Sequence, residues 1–479
     1  MKQFVNNVID VAMAMGAQYA DVRVINQRTE DIRVKNRVLE DISTGESLGW
    51  GVRVIVDGAW GFASSFRVEK DAIDGVVKQA VNIAQASARV RRKPVRLAPA
   101  EQVVDTFKSP CRVDPFSVGL DEKVNLLMAA SEGMMVSEEI KVAEASLTFL
   151  QQDKTFANSE GSLIEQTFVE SGGGLTCFAV GHGDMQRRTF PNTIWGDIAT
   201  RGWEHIGDLR LVEEAPRIGE EAVKLLTAKP CPTGHTTIVI EPSQMALQVH
   251  ESVGHPTELD RILRHEADFA GTSFVDVGMI GNYRYGSDIV NITADATVDG
   301  ARGSFGYDDE GVPGQRVDLI KDGILVGVTS SRETAAEIGA TSSGAARADR
   351  WNRVPIVRMT NINLEPGDSS LEEMIAGTSE GLYLISNKSW SIDDRRLNFL
   401  FGTELAYEIR DGKLGDMVKN ATYTGMTPEF WANCDAIGNR DQWRVFGYPC
   451  GKGQPGQNGH VGHGVPPARF RNVQVGVMK

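Results

Sequence analysis

The run His250-Glu251-Ser252-Val253-Gly254-His255-Pro256 restricts the local backbone more tightly than any other stretch of this chain. Two imidazoles can hold a metal ion, and a carboxylate beside them can take a proton from water that the metal has acidified. These are the parts of a hydrolytic zinc site. The spacing, H-E-x-x-x-H, is one residue longer than the H-E-x-x-H that lines both histidines along one helix face. On an α-helix, residues five apart sit about 140° apart around the axis, so a continuous α-helix cannot aim both rings at one ion. The sequence offers a break. Gly254 tolerates the left-handed conformation that ends helices, and Pro256 disfavours the helical region for His255. The expectation is a helix from Pro242-Ser243 to Gly254, with positive φ at Gly254 and His255 swinging back from the loop beyond. Eight histidines and 64 acidic residues scattered at random would give this spacing in roughly 2% of chains of this composition. The motif is read as a metal site on the strength of the Gly and Pro that accompany it.

The 479 residues suffice for two or three domains with a sizeable core. Fifty Lys and Arg against 64 Asp and Glu leave a formal charge of −14, a surface that repels phosphate backbones. Nucleic acid is not an expected partner. The basic run Arg89 to Arg96 follows a helical stripe and reads as a solvated linker. The opening segment is apolar at helical spacing but interrupted by Asn6, Asn7 and Asp10, so it is neither a secretory signal nor a membrane span. No membrane association is expected. Five cysteines without paired spacing argue against a disulfide framework and for a reducing, cytoplasmic setting.

Residues 1–16 read as an amphipathic helix, and 71–88 and 121–135 as two more. Strands are expected at 19–24, 31–34, 49–56, 59–64, 142–149, 163–170 and 175–180, with Asp57-Gly58 as a hairpin turn and 94–110 as a linker. A helix over 211–228 ends at Lys229-Pro230, and the main boundary is placed there. Residues 1–229 would form an N-terminal α+β domain, and 230–479 a β-rich C-terminal domain carrying the metal motif. Beyond the motif come short strands and turns, with helices at 331–338 and 370–376. Strand-rich segments with segregated helices predict an α+β fold in both halves.

Two histidines do not complete a catalytic zinc site, which takes three protein ligands and water. Cys450, Cys434, His460 and His463 remain open as the third. Cys450 starts a Gly-rich segment that can approach a metal closely, whereas the H-x-x-H pair His460 and His463 sits within that same segment. Glu258 and Asp260 follow the motif and either orient a ligand histidine or are solvated loop carboxylates.

The chain resembles the TldD/PmbA family of metallopeptidases, once described as modulators of DNA gyrase. The resemblance runs nearly end to end. It includes Tyr19-Ala20-Asp21-Val22-Arg23, Gly51-Val52-Arg53-Val54, Gly58 to Ala63, and His250 to Pro256 with Glu258 and Asp260. It continues through Asp309-Glu310-Gly311-Val312-Pro313, Arg358-Met359-Thr360-Asn361 and Cys450-Gly451-Lys452-Gly453-Gln454. The H-E-x-x-x-H and C-G-K blocks are the specific elements, and they match the metal-bearing TldD branch. The resemblance implies zinc on His250, His255 and Cys450, with Glu251 as general base. It also implies an N-terminal α+β domain and a β-rich C-terminal one. The assembly it implies is a dimer, either a homodimer or a pairing with a TldE/PmbA-like chain, that cleaves extended peptides. The reading is a cytoplasmic zinc-dependent peptidase. Its rival is a non-catalytic partner or regulatory subunit with a structural zinc, whose fourth ligand would be His460 or His463. A DNA-associated role finds no support in so acidic a chain.

Overall fold

The computed structural model describes residues 1–193, 196–266, 271–453 and 456–476. Gln454, the last residue of the C-G-K block, lies outside them. The fold is α+β, with the β-rich region that the sequence predicts in the second half.

The first half is built on one sheet. Its strands are β1 (Tyr19–Lys35), β2 (Val38–Val56), β3 (Ala59–Ser65), β4 (Val104–Lys108), β5 (Ile140–Asn158), β6 (Leu163–Gly181), β7 (Asp184–Phe190) and β8 (Asp197–Ala199). The order is β3-β2-β1-β5-β6-β4, with β7 and β8 also pairing with β6. The turn at Asp57-Gly58 has positive φ at both residues, as a two-residue hairpin requires. The segments expected at 19–24 and 31–34 are one 17-residue strand. Residues 26–30 are polar and lack alternation, yet they pair on both sides, with β2 and with β5. Backbone pairing carries them where side-chain burial does not. The expected linker likewise contains β4, parallel to β6. Helices pack on this sheet through the stripes legible in the sequence. Val5, Val8 and Ala12 of α1 (Lys2–Ala14) and Val77, Ala80 and Ala84 of α2 (Ile73–Ala88) meet Val22, Val52 and Val54.

In the second half an eight-stranded sheet contains Gly234–Ile240, Glu380–Ile392, Asn398–Arg410 and Ala468–Val475. The motif helix, Pro242–Val249, starts with Pro at its first turn and Glu241 as cap, whose carboxylate accepts from the Ser243 N–H at 2.8 Å. Its Met245, Ala246 and Val249 join the large core with Ile238, Leu384 and Phe470. Buried apolar side chains of this kind contribute about 1.5–3 kcal/mol each, which anchors the helix against the sheet. Among the described residues, no helix is long and apolar enough to cross a membrane.

Buried ion pairs tie the halves together. Asp309 accepts from Arg23 Nη1 at 3.1 Å and Lys154 Nζ at 2.7 Å, while Arg53 pairs with Asp21 at 2.6 Å and Glu310 at 3.4 Å. Burial raises the Asp309 carboxyl, but Lys154 and Arg23 outweigh it and hold it at about 2. A carboxyl depressed in the folded state stabilises above its unfolded pKa and loses that contribution as pH falls. Asp309→Asn should cost about 3–5 kcal/mol in denaturant melts, since two buried cations lose their partner. The penalty should shrink as pH drops from about 4 toward 2. A melt unchanged from wild type at neutral pH would contradict this account.

Candidate metal centre

The motif departs from expectation in its backbone. Gly254 has φ −57° and ψ −60°, and His255 has φ −64° and ψ −43°, both right-handed helical values. Residues His250–Gly254 form a π-helical turn, and the His255 N–H donates to the His250 carbonyl five residues back. The extra residue is absorbed within the helix rather than by ending it. An i→i+5 turn stacks His255 over His250, and the ring centroids lie 4.8 Å apart.

Local chemistry supports the wide turn. Pro256 has no N–H to offer the Ser252 carbonyl, and the Tyr285 hydroxyl donates to that carbonyl instead. Thr257 Oγ1 donates to the Val253 carbonyl at 2.8 Å. Gly254 is required for close approach, not for positive φ: a Cβ there would lie 2.2 Å from Met359 Sδ.

The third arm comes from a hairpin, Arg444–Lys452 paired with Gln457–Val465. Cys450 is a strand residue, not the start of a loop, and its Sγ lies 3.5 Å from His255 Nε2. One ligand atom each of His250, His255 and Cys450 falls within 4.8 Å of the others, and all three residues are buried. Donors at about 2.1 and 2.3 Å from a tetrahedral ion lie about 3.5 Å apart, which the Cys450–His255 pair matches. Cys434 is bonded elsewhere, its thiol facing the Ala436 carbonyl.

Hydrogen bonds set the tautomers. His463 Nδ1 donates to the Ile362 carbonyl at 3.1 Å, which leaves its Nε2 to accept from His250 Nδ1 at 2.8 Å. His255 Nδ1 donates to Glu258 Oε2 at 2.9 Å. Both rings therefore keep an Nε2 lone pair for an ion. Burial holds each imidazole down at about 4, neutral near pH 7. Burial alone would push the Cys450 thiol up, but positive charge beside it, on His255 when that ring is protonated and on Arg358, brings it below its ordinary value. Glu258 is likewise penalised by burial, yet Lys452, His255 and Arg261 hold it well below the carboxylate range. The Asp260 side chain pairs with Lys452 at 2.8 Å, not with either motif histidine among the described residues.

Glu251 is buried beside the cluster, its Oε2 accepting from Arg396 Nη1 at 2.7 Å. Tyr448 packs against His250 and His463, with centroids at 5.5 and 5.1 Å. Its hydroxyl is buried without a hydrogen-bond partner among the described residues. His460, on the opposite face of the hairpin, pairs with Glu170 at 2.5 Å. Sequence reasoning missed Arg396 and Tyr448 and left His463 unassigned. A strand pattern over 444–452 would have put Tyr448 on the Cys450 face, but the glycines that follow made the segment look like a loop.

Three sequence descriptions cover most of the chain. PmbA/TldA metallopeptidase domain 1 matches residues 20–84, the central domain 113–229, and the C-terminal domain 233–477. The chain belongs to the PmbA/TldD family of metallopeptidases. A metalloprotease of Methanocaldococcus jannaschii is 33% identical over 93% of this chain and 94% of its own. A relative in Saccharolobus solfataricus, named a zinc metalloprotease TldD homolog, is 24% identical over 98% of each chain. The crystal structure of TldE from Thermococcus kodakarensis shares the fold, with a TM-score of 0.79 at 16% identity over 99% of this chain and 100% of that one.

Two outcomes test the geometry in this family member. Gly254→Ala gains up to about 1 kcal/mol of helix propensity but overpacks Met359 by about 1–3 kcal/mol, so stability and metal affinity should both fall. Adding Met359→Ala should recover part of the loss; no recovery would reject the steric account. His463→Ala should weaken metal binding about 10- to 100-fold by freeing the His250 ring, and His460→Ala should leave it unchanged. Equal effects, read by competition with a chelator, would reject the role given to His463.

Proposed function

We propose that the protein is a zinc-dependent peptidase acting on extended or unfolded peptides, with His250, His255 and Cys450 as ligands and Glu251 as general base. The observation that carries this reading is the convergence of two imidazoles and a thiol on one buried point, with an acid beside them. This donor set suits zinc, and three protein ligands leave a fourth position open. Zinc bound there supplies a Lewis acid that polarises the scissile carbonyl and acidifies water. Glu251, held through Oε2 by Arg396, keeps Oε1 to take a proton from the attacking water and pass it to the leaving amine. Tyr448 is the donor assigned to the carbonyl oxygen as it gains charge, because its hydroxyl is buried there without a partner.

The rival reading, a structural zinc in a non-catalytic subunit, needs a fourth protein ligand. His463 has both nitrogens engaged and His460 is paired with Glu170, so neither supports it. Residues 230–479 are assigned the chemistry and 1–229 the role of an N-terminal domain. The resemblance to the TldD/PmbA family implies a dimer, of the chain with itself or with a TldE/PmbA-like chain. The odd, unpaired cysteines favour the cytoplasm. An extended peptide can add to a sheet edge through backbone bonds, which gives little side-chain preference and spares compact folded proteins.

Glu251→Gln should retain zinc at wild-type stoichiometry and lose most peptide hydrolysis; undiminished turnover would sink the mechanism. Tyr448→Phe keeps the ring and removes only an unpartnered hydroxyl. Zinc content and melting temperature should therefore hold while kcat falls about 100-fold. Unchanged kcat in that variant would remove Tyr448 from the reaction.

A further inference from the structure

Beside the hairpin that carries Cys450 lies a cavity of about 640 Å³, counting its open mouth. The first sheet forms one wall through Lys154 and Glu170, and residues 457–460 form another. Four cations line it, Lys154, Arg302, Arg347 and Arg358, against two carboxylates, Glu170 and Asp349. Lys154 is matched by Asp309, and Arg302 by Glu170 at 3.1 Å. Arg347 and Arg358 have no carboxylate within ion-pair distance among the described residues. Their bonds go to carbonyls: Arg347 to those of Met359 and His460, Arg358 to those of Gln457 and Cys450. Arg358 is 2% exposed, and the Nε of both arginines is buried without a partner. Arg358 is buried and Arg347 half-buried, neither with a paired carboxylate, and burial together with Arg358 pulls Arg347 down to about 10 despite the more distant Asp309, Glu170 and Asp308.

We propose that this cavity binds a carboxylate of the peptide substrate through Arg347 and Arg358. A carboxylate matches the charge of this pair and can accept from the donors they leave free, the Nε–H of each arginine and Arg347 Nη1. Glu170 and Asp349 in the same lining disfavour a doubly charged phosphate. Phe168 and Phe305, the latter under Arg347 at 5.0 Å, provide an apolar wall for the carbon that bears the carboxylate. Because Arg358 also donates to the Cys450 carbonyl, the anchored carboxylate sits one side chain away from the metal cluster. This inference rests on the peptidase reading and adds a substrate requirement to it. The carboxylate is either the peptide's C-terminus or an acidic side chain.

The test uses the zinc-loaded protein in its native assembly and one peptide in four forms: free or amidated C-terminus, each with internal Glu or Gln. Hydrolysis by the wild type is read as kcat and KM, and binding to Glu251→Gln by calorimetry. Loss of one of the two carboxylates should weaken binding and raise KM about tenfold or more, with kcat changed less. Which arm responds identifies the source. In Arg347→Gln the discrimination should shrink to about threefold or less. Equal affinity for all four forms, or no binding of any, overturns the proposal, as does Arg347→Gln with full discrimination. Selective binding without hydrolysis by the wild type would instead overturn the peptidase reading and leave the carboxylate site standing.

Discussion

The hydrogen bond from the His255 N–H to the His250 carbonyl closes a five-residue turn, and the metal cluster depends on it. In an α-helix the two rings would diverge by about 140°; in this turn they meet edge to face, 4.8 Å apart. The wide turn survives because its loose ends are satisfied. Pro256 cannot donate, the Ser252 carbonyl accepts from Tyr285, and Gly254 leaves room for Met359. A turn that strays from the α-helix is stable here because the surrounding core holds it on every side.

Around this turn lies a shell of buried polar groups, each with a directional task. His463 and Glu258 take the Nδ1 protons of the two motif histidines and leave both Nε2 atoms facing Cys450. Lys452 and Arg261 balance Glu258. Such a network is costly to bury and worth burying only when nearly complete, because an uncompensated charge in this environment would cost several kcal/mol. The groups left incomplete are therefore informative. Tyr448 lies against the cluster, and Arg347 and Arg358 line the neighbouring cavity.

Much of the fold was legible in the sequence. The apolar spacing of Val5, Val8, Ile9 and Ala12 gave the first helix, and Asp57-Gly58 gave the hairpin turn. Long strands were cut short in the reading because residues 26–30 are held by pairing on both edges, which leaves no hydrophobic alternation. The Gly-rich stretch from Cys450 to Gly464 looked like a loop and is a hairpin, its glycines admitting Arg358 and Asn361 against the backbone.

By itself the sequence set His250, Glu251 and His255 within six residues, at a spacing that demands a departure from the α-helix if both rings are to face one ion. It did not determine which departure. A left-handed glycine stop and a π-turn both reconcile five-residue spacing with one metal, and the choice rests on the contacts of Gly254 with Met359 and of Ser252 with Tyr285, 105 and 33 residues away. The residue pattern left Cys450 and Cys434 open and only the resemblance pointed to Cys450; tertiary structure lays Cys450 beside the imidazoles, and it alone decided that His463 bonds to the His250 ring while His460 turns to Glu170. The reason is physical: helical spacing is a local property of the chain. The partners of a buried polar group are set by which distant segments the core brings within hydrogen-bond reach.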